Sequence, residues 1–154
     1  NSIQAKYDYC FNPKQVGGGV PKINIIEITN QKHFSIGKIN IQPLLVFHGE
    51  LPIYGFRLGN FAYFTDVSFM PEETLQHLEG LDTFVINALR YRPHPTHFSV
   101  EEAVQISRKI KPRRTFLTHI AHKIDHLQIS RELPSDIQPA FDGLSTEIPD
   151  CVFS

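Results

Sequence analysis

Apolar and polar positions change rhythm along the chain. Up to about residue 66 the apolar residues alternate or gather in short β-branched and aromatic stretches; beyond it, such stretches take turns with segments of helical spacing. INIIEIT (23–29) alternates and is rich in isoleucine, which predicts a strand. GKINIQPLLVF (37–47) predicts a second and a third strand, ending at His48. RLGNFAYFTD (57–66) predicts a hairpin about Gly59-Asn60 whose second strand ends at Asp66. Ahead of these, YDYCF predicts a short strand or lead-in and VGGGVP a loop.

In the second half, Pro71, Glu72 and Glu73 suit the first turn of a helix and Gly80 its C-terminal cap. DTFVINAL (82–89) and RTFLT (114–118) are compact apolar runs of the kind found in buried strands. Between them Ser99 and Glu102 form an S-x-x-E capping box, followed by Val100, Ala103, Val104 and Ser107 on one face. Arg108, Lys109 and Lys111 fall where the helix dipole favours cations, and Pro112 stops the helix. A third helix is predicted from about Ala121 to Leu133, with Ile124 and Leu127 inward. PAFDGLSTEI (139–148) closes as a hairpin turning at Asp142-Gly143. The expectation is one layered α/β unit over residues 1–154, a mixed sheet covered by about three helices.

Composition narrows the function. A formal charge of −1 argues against a nucleic-acid or anionic-membrane binder working through bulk charge. No apolar run approaches a membrane span. The cysteines, Cys10 and Cys151, stand at opposite ends with no CxxC pair, which fits a reducing cytoplasm rather than a disulfide framework. Histidine is the unusual residue, with eight in the chain.

Three predicted strands end in a metal-ligand residue type: LLVF–His48, FAYFT–Asp66 and TFLT–His119. Loops at the carboxyl ends of strands are where layered α/β proteins build sites. Imidazole and carboxylate are ligands for zinc and similar metals, and a carboxylate can bridge two of them. Each residue also has an ordinary reading: Asp66 as a turn former, His48 as a loop histidine, His119 as a helix cap. His94 and His97, in RYRPHPTHFS, divide between a general acid or oxyanion donor and a solvated loop packed on Phe98. His122 and His126 stand at i and i+4 on the predicted third helix, a chelating spacing. No HExxH glutamate lies between them, which favours surface or supporting roles. The chain has no GxSxG elbow, P-loop or GxGxxG.

The ordered combination IQPLLVFHGELPIYGFRLGNFAYFTD, INALRYRPHPTHFSVEEA, RTFLTHIAHKIDHLQISRELP and AFDGLSTEI resembles the second half of a metallo-β-lactamase-fold hydrolase. The branch it resembles most is the cyclic phosphodiesterase of phosphonate breakdown, with the tRNA 3′-processing endonuclease more distant. The resemblance implies an αββα sandwich with two metal ions, zinc or manganese, at one edge. By that resemblance His48 completes the first metal site, Asp66 bridges, His119 completes the second, and His97 protonates the leaving group or steadies phosphate oxygens. His94, His122 and Asn87 fall in supporting or substrate positions, Asn87 standing where relatives often carry aspartate. Asp142 aligns with an aspartate of the closing hairpin and suits a turn. The implied activity is hydrolysis of a small phosphodiester by a hydroxide held between the metals.

The family's HxHxDH signature, which supplies four further ligands, has no counterpart: the close histidine pairs here are H-x-x-H, at 94/97 and 119/122. The expectation is therefore a fragment, the C-terminal half of a longer protein, with metal occupancy of this chain alone in doubt. A half-sandwich would expose the inner face of its sheet and form a homodimer or pack against a covering segment. The alternative is a catalytically incomplete half-domain that self-associates and binds little or no metal.

Overall fold

The computed structural model describes residues 2–12, 19, 21 and 23–148. Its frame is a seven-stranded sheet whose spatial order follows the chain. The strands are β1 Phe34–Ile36, β2 Ile39–His48, β3 Leu51–Leu58, β4 Phe61–Phe64, β5 Thr83–Asn87, β6 Arg114–Thr118 and β7 Ile137–Pro139. β1 to β4 pair antiparallel in succession, and β4 to β7 pair parallel. β2, β4, β5 and β6 therefore all run the same way, and their carboxyl ends share one edge.

Alternation decides which residues the helices cover. Leu44, Val46, Ala62, Phe64, Phe84, Ile86 and Leu117 are fully buried on one face. They pack with α3 (Glu72–Gln76), α4 (Val100–Ile110) and α5 (His126–Glu132) into one core. Gly55 is in β3 for a steric reason: a Cβ there would sit 2.0 Å from the Phe64 ring. The opposite face is apolar too. Phe34, Ile36, Ile41, Phe56, Leu58 and Tyr63 line an open groove of about 350 Å³.

The expected mixed sheet covered by helices is present, and α4 carries its full capping box. Ser99 Oγ accepts from the Glu102 backbone N–H, and Glu102 accepts from the Ser99 N–H at 2.7 Å. Several expected elements differ. YDYCF forms no strand: Tyr7 turns the chain after α1 (Ser2–Lys6) and caps the short helix α2 (Asp8–Phe11). VGGGVP lies largely outside the described residues. Residues 23–29 form no strand, and Ile26 is 81% exposed. β propensity alone does not make a strand without a paired neighbour. Residues 37–47 give one strand, β2, after the short β1.

α3 stops at Gln76, so Gly80, at φ +73, turns the segment that follows and does not cap the helix. α5 begins only at His126, because Asp125 is its N-cap and accepts from the Gln128 N–H at 2.7 Å. His122 and His126 therefore do not share a helix, and Leu127 points outward at 68% exposure. The Asp142-Gly143 turn is present, with Gly143 at φ +89, but no hairpin forms. β7 instead joins β6 in parallel just before it. No helix among the described residues is long and apolar enough to cross a membrane.

Candidate metal centre

The common edge collects side chains from four successive connections. His48 is the last residue of β2, and Gly49, at φ +61, turns the chain immediately after it. Asp66 follows β4 and His119 follows β6; both have positive φ, +60 and +55, rarely adopted by non-glycine residues. Their positions are fixed by neighbouring backbone. The Asn87 side chain, fully buried at the end of β5, clasps the residue after Asp66: Oδ1 accepts from Val67 N–H at 2.8 Å and Nδ2 donates to Val67 O at 3.0 Å. Beside His119, Ala88 N–H donates to Thr118 O and Ala121 N–H to Leu89 O, each at 2.9 Å. His97 comes from the β5–α4 connection, held by Phe98 N–H donating to Val67 O at 2.7 Å.

These residues meet around one carboxylate oxygen. Asp66 Oδ1 lies 3.1 Å from His97 Nε2 and 3.3 Å from His119 Nε2. The His97 and His119 rings stack with centroids 4.9 Å apart, and His48 meets His97 edge-on at 4.7 Å. His48, Asp66 and His97 each offer a ligand atom, all within 4.8 Å of one another. His97 is the buried member, its side chain 12% exposed against 43% for His119 and 45% for Asp66. Burial pushes the His97 imidazole below its ordinary pKa; the hydrogen bond to Asp66 opposes this, and the nearby His119 and His48 add to it. Three imidazoles converging on an accessible carboxylate are a donor set suited to a borderline divalent metal, with room left for water or substrate.

A family model described as "Beta-lactamase superfamily domain" matches residues 1–120. The chain belongs to the metallo-β-lactamase superfamily. Among solved structures, a diphosphatase of the PhnP family is 34% identical with a TM-score of 0.80, over 92% of this chain and 52% of that one. Human tRNase Z, short form, shares the fold at 17% identity and a TM-score of 0.57, over 75% of this chain and 46% of that one. A protein of Porphyromonas gingivalis (strain ATCC BAA-308 / W83) named octanoyltransferase is 31% identical over 97% of this chain, which spans 31% of its length. The chain thus spans about half of the matched diphosphatase and under a third of the octanoyltransferase.

The edge brings His48, Asp66, His97 and His119 together and leaves other candidates at its margin. His94 stands behind His97, with ring centroids 5.1 Å apart. His122 is exposed on the turn beyond His119. His126 lies edge-on to Phe141 at 6.1 Å, and Asp142 shares a cleft of about 340 Å³ with His119 and Phe141. Asn87 lies beneath the site, its side-chain amide used on the backbone of Val67, next to Asp66. Sequence reasoning gave Thr96 no role. Its Oγ1 lies 2.8 Å from His97 Nδ1 and 3.2 Å from His94 Nδ1, and its place between two histidines in HPTH was the available signal.

Proposed function

We propose that this chain supplies one side of a metal-dependent hydrolase centre acting on a small phosphodiester or related phosphoester. The observation carrying this reading is the convergence of His97 and His119 on Asp66 Oδ1, with His48 against His97. The likeness to a protein named a diphosphatase supports the substrate class. His48, Asp66 and His119 would hold zinc or manganese, two ions when the centre is complete. Such ions supply Lewis acidity toward anionic phosphoryl oxygens and activate water. His97, buried beside the carboxylate, presents Nε2 toward the same space and serves as general acid or oxyanion donor. The exposed faces of Asp66 and His119 leave the approach open to substrate.

The chain is read as the C-terminal half of a longer domain, so its gene should encode an HxHxDH segment ahead of Asn1. A formal net charge of −1 supplies no bulk attraction for nucleic acid or an anionic membrane. The cytoplasmic assignment rests on cysteine usage, with Cys10 buried and free. Metal content by plasma mass spectrometry, paired with turnover of an activated phosphodiester, tests the centre. Asp66→Ala and His119→Ala should each lose bound metal and activity together; unchanged metal content in both would overturn the assignment.

A second reading is a half-domain that self-associates and keeps little metal. The apolar groove lined by Phe56, Leu58 and Tyr63 favours it. Light scattering separates the two, since a dimer free of metal after mild dialysis fits only the second.

A further inference from the structure

His97 sits at a fork. With a lone pair on Nε2 it would be a third metal ligand beside His48 and Asp66, with which its ligand atom already clusters within 4.8 Å. With a proton on Nε2 it is a donor. The hydrogen-bond chain on its far side decides between these. An ionised carboxylate only accepts, so the 3.1 Å contact with Asp66 Oδ1 calls for Nε2–H. A neutral imidazole has one N–H, which leaves Nδ1 an acceptor in need of a donor. Thr96 Oγ1 stands 2.8 Å away. The other neighbour of that nitrogen, His94 Nδ1 at 3.3 Å, accepts from Thr96 N–H at 3.3 Å and so has no proton to give. Thr96 packs close beside Gly49, the glycine turning the chain after His48, where a Cβ would come within 3.1 Å of its Cγ2.

We propose that Thr96 is a positioning residue: its hydroxyl donates to His97 Nδ1, fixes the Nε2–H tautomer, and makes His97 a proton donor and not a metal ligand. The role assigned to that donor rests on the hydrolase reading above; the tautomer does not, and can be read without turnover. Long-range proton–nitrogen NMR of the 154-residue chain, at a pH where His97 is neutral, should show Nε2 protonated and Nδ1 bare. In Thr96→Val, nearly equal in volume, the donor to Nδ1 is gone and the preference for the Nε2–H tautomer weakens. The His97 signals should then shift toward the Nδ1–H pattern, and Thr96→Ser should restore the original one. Protonated Nδ1 in the unmodified chain would overturn the proposal, even if Thr96→Val failed to fold. A folded Thr96→Val keeping the Nε2–H pattern would overturn it as well. Absence of phosphodiester turnover in the unmodified chain, with its Nε2–H tautomer present, would count against the hydrolase reading alone.

Discussion

Replacing Asn87 by alanine isolates the clasp beneath the candidate metal centre. Both polar ends of this fully buried amide are used, on the N–H and the C=O of Val67. The two losses are unequal. Val67 O also accepts from Phe98 N–H at 2.7 Å, so it keeps one partner; among the contacts described, Val67 N–H loses the one it has. An orphaned buried donor costs about 1–3 kcal/mol and the lost second bond about 1 kcal/mol, giving a destabilisation of about 2–4 kcal/mol. Water entering the small void brings it toward the lower end. Urea unfolding followed by circular dichroism should show the midpoint falling at unchanged slope. Because Val67 adjoins Asp66, affinity for added zinc or manganese should fall with it. A loss under about 0.5 kcal/mol would refute the accounting. Asn87→Asp sharpens the test. It keeps the acceptor for Val67 N–H but sets a carboxylate oxygen against Val67 O, raising the folded-state pKa of the new acid. Stability is then greatest where that acid is protonated and is lost as pH rises through its folded pKa.

Gly55→Ala should prevent soluble folding, since the added Cβ meets Phe64 ring atoms at 2.0–2.6 Å, and pairing it with Phe64→Val should recover soluble protein; normal expression of the single variant would sink the packing argument. Acid stability should lean on Asp82, whose carboxyl is held down at about 2, first by its hydrogen bond from Arg113 and then by that from Thr83. Its folded pKa is depressed, so its contribution is complete above the ordinary carboxylate value and disappears as pH falls toward about 2. Asp82→Asn should flatten the stability–pH curve in that window, and a curve superimposable on the parent's would exclude the role.

What could be read from the residues was what local chemistry determines. β2, β5 and β6 are apolar runs bounded by turn formers, and α4 announces itself through Ser99 and Glu102. The misreadings lie where a partner decides. INIIEIT has the residues of a strand but pairs with no edge. Asp125 captures the N-cap that the pattern placed nearer Ala121, and this separates His122 from His126. Strand ends at His48 and near Asp66 and His119 were visible as a pattern. No periodicity, however, could set two imidazoles on one carboxylate oxygen, or place Thr96 behind one of them. Those distances belong to strand order, which is a property of the folded sheet.

That strand order also bears on how the chain is made. Each strand lies beside the one synthesised just before it, so no pairing waits for a distant segment and the sheet can grow outward as the chain leaves the ribosome. The edge residues then arrive in sequence, His48, Asp66, His97 and finally His119, at strand ends or in the connections between them. The cluster about Asp66 is thereby completed late, since the carboxylate meets its last imidazole only after β6 has docked.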